Sequence, residues 1–297
     1  MSNPLAGTPA LSGTHPMKLS RLAKLLTVLS APLILFGCAF AQKQFYYPLR
    51  GASQFTPANA GLAYEDVYFS SADGTRLHGW FIPALGETKG VILHVHGNAG
   101  KLQDHLAGIL WLPQEHYAVF TFDYRGYGLS DDKTPNPKGL MEDTQAAIAW
   151  LKNRPETNAQ KLLILAQSLG GNNAVAAVAN GSREGIAGIV LDATFYSYSS
   201  IANDKLFGAG IFLCDKYSAS QLIGQLAPIP VFIVHGDRDR VIPYQHAQKL
   251  FAAAGQPKTL RIVKDAGHLF TLDDAPVRAE VLNFFAAGAV HEPSLRR

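Results

Sequence analysis

The chain has 297 residues, 47% of them hydrophobic and 16% charged, with a formal net charge of +3. That balance fits one domain with a substantial core and excludes disordered and fibrous chains. Lys18, Arg21 and Lys24 are the only charged residues before Cys38, so the remainder carries 23 basic and 23 acidic residues. With no basic surplus, nucleic-acid binding is not expected.

Residues 1–16 are rich in Ser, Thr, Pro and Gly, and Met17 is an alternative start. After Met17 come the basic residues Lys18, Arg21 and Lys24 and then an apolar run from Leu25 to Phe36, a targeting pattern. The run is short for a membrane span, which takes about 20 apolar residues. It closes in Leu33-Ile34-Leu35-Phe36-Gly37-Cys38, which resembles a bacterial lipobox, with Phe36 where such signals carry a smaller residue. The resemblance implies a signal peptide over 1–37 and lipid attachment at Cys38. The alternative is an uncleaved apolar anchor, or a cleaved secretory peptide with an incidental cysteine. The expected location is the bacterial cell envelope, membrane-anchored and facing the periplasm or the exterior.

Residues 38–60 read as a linker, 61–290 as a single domain and 291–297 as a tail. A hairpin is predicted from strands near Glu65–Phe69 and Leu77–Ile82, joined across Ala72-Asp73-Gly74-Thr75. From residue 90 onward strands and helices alternate, which predicts a mostly parallel sheet with helices on both faces. The strand Val91–Val95 runs into His96-Gly97-Asn98-Ala99-Gly100, and the strand Ala118–Phe122 into Asp123-Tyr124-Arg125-Gly126-Tyr127-Gly128-Leu129-Ser130. Helices are predicted near 138–153, 169–180, 244–254 and 274–287. Residues 195–228, between the strand ending at Asp192 and the strand at Pro230, are long enough for a small cap.

Ser168 follows the apolar run Leu162–Leu165 and precedes an alanine-rich helical stretch. A serine flanked by small residues where a strand jumps to a helix is the nucleophile elbow of an α/β-hydrolase. Ala166 and Gly170 are the small residues that so sharp a turn requires. An acid and a histidine follow in the chain order of that fold. The acid lies near His235-Gly236-Asp237-Arg238-Asp239, with Asp192 as a further candidate, and the histidine is His268 in Asp265-Ala266-Gly267-His268. A serine hydroxyl needs a base to take its proton, and His268 is placed for that task. The oxyanion of acyl transfer needs two preorganised N–H donors, expected from the backbones of Leu169 and Asn98. His94 and His246 are explained by packing or exposure, His96 and His235 by loop hydrogen bonds, and Cys214 by apolar filling.

The motifs H-G-N-A-G, D-Y-R-G-Y-G-x-S, S-L-G-G, H-G-x-x-D-x-x-V-P and A-G-H together resemble the Bem46-like serine hydrolases over roughly residues 60–287. Counted from His235, the resemblance puts the acid at Asp239, with Ile242 where the pattern has valine. It implies structural roles for Arg125, Tyr127 and Ser130. Tyr196 and Tyr198 belong to the cap, either lining the pocket or serving as core.

The expected protein is a serine hydrolase cleaving an ester or thioester through an acyl-enzyme on Ser168, with Asp239 and His268 completing the site. No metal ligands show the required spacing, and no nucleotide fingerprint is present, so no cofactor is expected. A serine peptidase on the same residues and a non-catalytic binding protein on the same fold are the alternatives.

Overall fold

Alternation shapes the first long strand. In Glu65–Ser70 (β2) Val67 and Phe69 are buried while the residues between them face solvent, as suits a strand at a sheet edge. It pairs with Arg76–Ile82 (β3) across a turn in which Ser71 N–H donates to Thr75 O and Gly74 takes φ 78°. The following strands are mostly apolar and buried along their whole length: Gly90–Val95 (β4), Tyr117–Asp123 (β6), Leu162–Gln167 (β7) and Val231–Gly236 (β9). Ile186–Asp192 (β8) and Lys258–Val263 (β10) complete an eight-stranded sheet in the order β10-β9-β8-β7-β4-β6-β3-β2. Only β3 runs antiparallel to its neighbours β2 and β6; every other pair is parallel. This computed structural model describes residues 45–154 and 161–290.

Helices Pro137–Asn153 (α1), Leu169–Ala179 (α2) and Gln245–Ala253 (α5) bury one face through Leu140, Ile148, Val175, Val178 and Leu250. Asn136 caps α1 by accepting from Gly139 N–H, with Pro137 in the first turn. Helix Ala275–Val290 (α6) and the 3-10 turns of Leu102–Gly108 cover the other face with Val277, Val281, Phe285 and Leu106. The arrangement is an α/β-hydrolase fold, as the alternating pattern predicts.

The cap between β8 and β9 holds Tyr198–Lys205 (α3), the four-residue Ala219–Leu222 (α4) and two 3-10 turns. Asn172 of α2 ties down both roots: its Nδ2 donates to Phe195 O at 2.8 Å and its Oδ1 accepts from Ala219 N–H at 2.7 Å. Cys214 is exposed in this cap rather than buried as filler, because so thin an insertion has little interior.

The lead-in differs from a free linker where it is described. Tyr47–Pro48 (β1) pairs with Ala99–Gly100 (β5), and Leu49 N–H donates to Gly100 O. Gly128 N–H donates in turn to Leu49 O, so this short segment laces two loops together. The expected signal peptide, Cys38 and the tail 291–297 lie outside the described residues.

Candidate active site

The chain order reverses between β4 and β7, with β6 beside the one and β8 beside the other, and such a switch point opens a crevice beyond the strands' carboxyl ends. Ser168 stands there, between β7 and α2, at φ 54° and ψ −117°. That strained backbone is stabilised by close packing on every side. Ser168 N–H donates to Asp192 O at 2.8 Å. A Cβ on Gly170 would lie 1.9 Å from Val95 O, and one on Gly171 would lie 1.9 Å from Thr194 Oγ1. Gly170 is therefore demanded by the close approach of α2 to the end of β4, and Gly171 by its approach to the loop after β8. Ser168, Ala193, Asp265 and Leu269, four of the five described non-glycine residues with positive φ, sit on loops at this carboxyl edge. Strain is concentrated where the candidate site lies.

The loops after β9 and β10 are stitched together by backbone. Asp237 N–H donates to Val263 O and Arg238 N–H to Ala266 O, both at 3.0 Å. A Cβ on Gly236 would lie 2.2 Å from Ala266 O, so only glycine lets the loops close. This brings Asp239 Oδ2 to 2.7 Å from His268 Nδ1 and 3.1 Å from His235 Nε2. Its other oxygen accepts from Val241 and Ile242 N–H, each at 2.8 Å. Burial opposes the charge on Asp239, but hydrogen bonds from His235, His268 and the Ile242 backbone outweigh it and hold the carboxyl well below its usual range. His268 keeps about 19% of its side chain exposed. An imidazole held at Nδ1 by a charged carboxylate has Nε2 free to exchange a proton at the crevice.

The other aspartates are engaged elsewhere. Asp237 accepts Asp265 N–H at 2.7 Å, and Arg238 pairs with Asp265 rather than with Asp237. Asp192 is buried and accepts from Thr271 Oγ1 at 2.6 Å and Gln167 Nε2 at 2.9 Å, and burial raises its pKa. Gln167 Oε1 lies 3.0 Å from His94 Nε2, and His94 Nδ1 lies 3.0 Å from Thr121 Oγ1. A polar chain thus crosses β6, β4, β7 and β8 beneath the site, and His94 belongs to it. Burial lowers the His94 pKa to about 3, so the ring is neutral there.

Asn98 sits on the loop after β4 with both ends of its side chain bonded. Its Nδ2 donates to Phe45 O at 2.6 Å, and its Oδ1 accepts from Tyr127 Oη–H at 3.0 Å and Tyr47 N–H at 3.3 Å. The side chain is an anchor for the lead-in, and the loop main chain faces the elbow: a Cβ on Gly97 would lie 3.6 Å from Ser168 Cβ. Leu169 opens α2, where first-turn N–H groups have no intrahelical acceptor. Arg125 is structural, as expected, gripping Asp143 at 2.7 Å and Asp73 at 3.0 Å. Ser130 Oγ donates to Asp123 O at 2.6 Å, another loop tie. Tyr198 is core, with its ring 5.2 Å from those of Phe45 and Phe195.

Two histidines have roles that sequence reasoning missed. His246 accepts Tyr196 N–H at Nδ1 (2.9 Å) and reaches Asp204 at 2.5 Å through Nε2, fastening the cap to α5. His105 stacks on His96 at 4.8 Å, and its Cε1 would lie 3.2 Å from a Cβ on Gly97. It borders the crevice from the 3-10 turns of Leu102–Gly108, where no catalytic motif singles it out. Among the described residues no group of three His, Cys, Asp or Glu side chains is placed to hold a metal.

Residues 86–213 match the family described as "Serine aminopeptidase, S33". Among curated relatives, the uncharacterized protein YfhR of Salmonella typhimurium is 44% identical over 76% of this chain and 80% of its own. The α/β-hydrolase domain-containing protein WAV2 of Arabidopsis thaliana is 32% identical over 73% of this chain and 76% of its own. A Pyrococcus furiosus esterase has a similar fold, with TM-score 0.65 and 20% identity over 80% of this chain and 97% of that one. With the elbow, the strand-end loops and these relatives together, the chain belongs to the α/β-hydrolases, in the Bem46-like group whose motifs it carries.

Proposed function

We propose that this hydrolase cleaves carboxylic ester or thioester bonds through an acyl-enzyme on Ser168. The observation that carries the reading is the fixed Asp239–His268 pair, on loops at the same sheet edge as a serine held in strained backbone. In this reading His268 takes the Ser168 proton as Oγ attacks the acyl carbonyl. The N–H groups of Leu169 and Asn98 receive the developing oxyanion. His268 then passes the proton to the leaving oxygen or sulfur, and water activated by the same ring releases the acid. Asp239 stays ionised and stabilises the imidazolium, consistent with its depressed pKa. Lipid on Cys38 would hold the enzyme at the bacterial cell envelope, facing the periplasm or the exterior.

A fluorophosphonate probe tests the nucleophile. Wild type is expected to be labelled covalently, while Ser168→Ala keeps its fold and takes no label. Full ester turnover by that variant would remove Ser168 from the role. The family description favours peptidase activity as the second reading. Chromogenic esters and aminoacyl amides, compared side by side on one preparation, separate the two.

A further inference from the structure

The cap carries an apolar surface that the hydrolytic chemistry leaves unused. Leu206, Phe207, Ile211 and Phe212 fall within seven residues, and Phe207 is 98% exposed. Monomeric domains rarely leave so many large apolar side chains together in water. Lys205, just before them, donates through Nζ to Val241 O at 2.7 Å. Val241 is itself exposed and stands two residues from Asp239. The surface therefore borders the crevice at the Asp239–His268 side.

The first described residues lie on the same side of the molecule. Phe45 packs its ring 5.8 Å from Phe195 and 5.2 Å from Tyr198, at the root of the cap. Its carbonyl is held by Asn98, so the entry point is fixed to the body. Seven residue steps separate Cys38 from Phe45, a reach of at most about 25 Å when fully extended. A domain of this length is about 45 Å across, so a tether at Cys38 cannot let the molecule turn its cap root to the far side.

We propose that the tip formed by Leu206, Phe207, Ile211 and Phe212 docks into the lipid bilayer to which Cys38 tethers the chain, presenting the mouth of the Ser168 site to the lipid surface. The proposal rests on the anchoring of Cys38 and on the hydrolase reading of the site. The occupant is the bilayer rather than a second copy, because the tether brings this side of the protein to a membrane and to no other partner. Aromatic and aliphatic side chains of this kind enter the boundary between headgroups and acyl chains. An acyl substrate would then reach the crevice without crossing water.

Tryptophan fluorescence of the full lipidated chain tests it, in phosphatidylethanolamine–phosphatidylglycerol vesicles with and without lipid brominated in its acyl chains. Trp80, Trp111 and Trp150 all lie outside the cap, so subtracting wild type isolates an added ring. Phe207→Trp is expected to lose about half of its added emission on brominated lipid, as a ring at the acyl boundary would. Tyr68→Trp, on the edge strand β2 at the opposite end of the sheet, is expected to lose none. The double variant Phe207→Ser/Ile211→Ser should keep wild-type kcat/KM on a water-soluble short-chain ester. On a long-chain ester within the vesicles it should fall about tenfold, through loss of interfacial contact. An unquenched Trp at 207, equal quenching at 207 and 68, or blue-shifted emission without vesicles that tracks self-association would each overturn the docking. Quenching needs no turnover, so its outcome is independent of the Ser168 chemistry. If palmitate labelling of Cys38 is intact while 207 stays unquenched, the anchor stands and the docking falls.

Discussion

Three aspartates stand near strand ends on the active edge, and their surroundings assign them different work. Asp239 faces His268, Asp237 holds the Asp265 N–H, and Asp192 joins the buried chain through Gln167 and Thr271. Asp239→Asn is expected to cut kcat on a short-chain ester by about 10⁴, as replacement of a triad aspartate does through the wrong imidazole tautomer. Asp237→Asn should cost only a few-fold, and a collapse confined to Asp192→Asn or Asp237→Asn would move the acid there. The depressed Asp239 pKa also has a stability sign. Its contribution is fully present above the unfolded carboxylate pKa of about 4 and is lost as pH falls toward the folded value. Asp123 behaves oppositely, because burial pushes its pKa up to about 8. The folded state then holds a proton that the unfolded state has released, so stability declines as pH rises from about 4 to 8. Asp123→Asn keeps an acceptor for Leu102 N–H, now at 2.8 Å. Thermal unfolding should show the variant stabilised relative to wild type at pH 8 and little changed at pH 4; an equal gain at both would refute the neutral buried acid.

At the scale of elements, the elbow works because α2 begins almost on top of β4. The sequence carried this much: apolar runs, small residues and strand-end motifs placed β4, β6, β7, β9 and their loops to within a residue or two. It carried less where no periodicity or motif marks the structure. The 3-10 turns that bring His105 to the crevice bury Leu102, Leu106 and Ile109 at helix-like spacing, but that spacing marks only their core side and no motif points to His105. The pairing of β1 with β5 involves two residues each and depends on the Asn98 side chain, a long-range tie invisible in local pattern. His246 reads as an ordinary helical residue until Asp204 and the Tyr196 backbone, both from the cap, are seen to converge on it. Gly170→Ala tests the elbow directly. The added methyl meets Val95 O and His96 O, which are backbone and cannot swing aside. Destabilisation of about 1–3 kcal/mol is expected from overpacking, with loss of fluorophosphonate labelling even where the protein remains folded. A variant with wild-type melting and labelling would show that the helix start can shift without consequence.

For the whole molecule, order of the loops along the sheet was legible because the chain order of serine, acid and histidine maps onto parallel strands. Attachment of the N-terminal lead-in to that sheet was not, since its partners lie about fifty residues away in sequence. This separates the structural role of the lead-in from the proposed anchoring at Cys38, which a single truncation would confuse. Phe45 O, Tyr47 N–H, Leu49 N–H and Leu49 O are all bonded, to the Asn98 side chain, the Gly100 carbonyl and the Gly128 N–H. Removing these residues frees the loop whose main chain faces Ser168, whereas changing Cys38 leaves every one of those bonds in place. Cys38→Ser is therefore expected to abolish palmitate incorporation and release the protein from membranes, with kcat/KM on a soluble short-chain ester unchanged. Deleting residues 45–50 should instead lower kcat about tenfold or more, since a misplaced oxyanion donor costs about 10²-fold when lost outright. Fractionation with palmitate labelling reads the first arm, and steady-state kinetics on a short-chain ester reads the second. Palmitate entering Cys38→Ser as readily as wild type would end the anchor assignment, and full kcat in the deletion would show that Asn98 holds its loop without the lead-in.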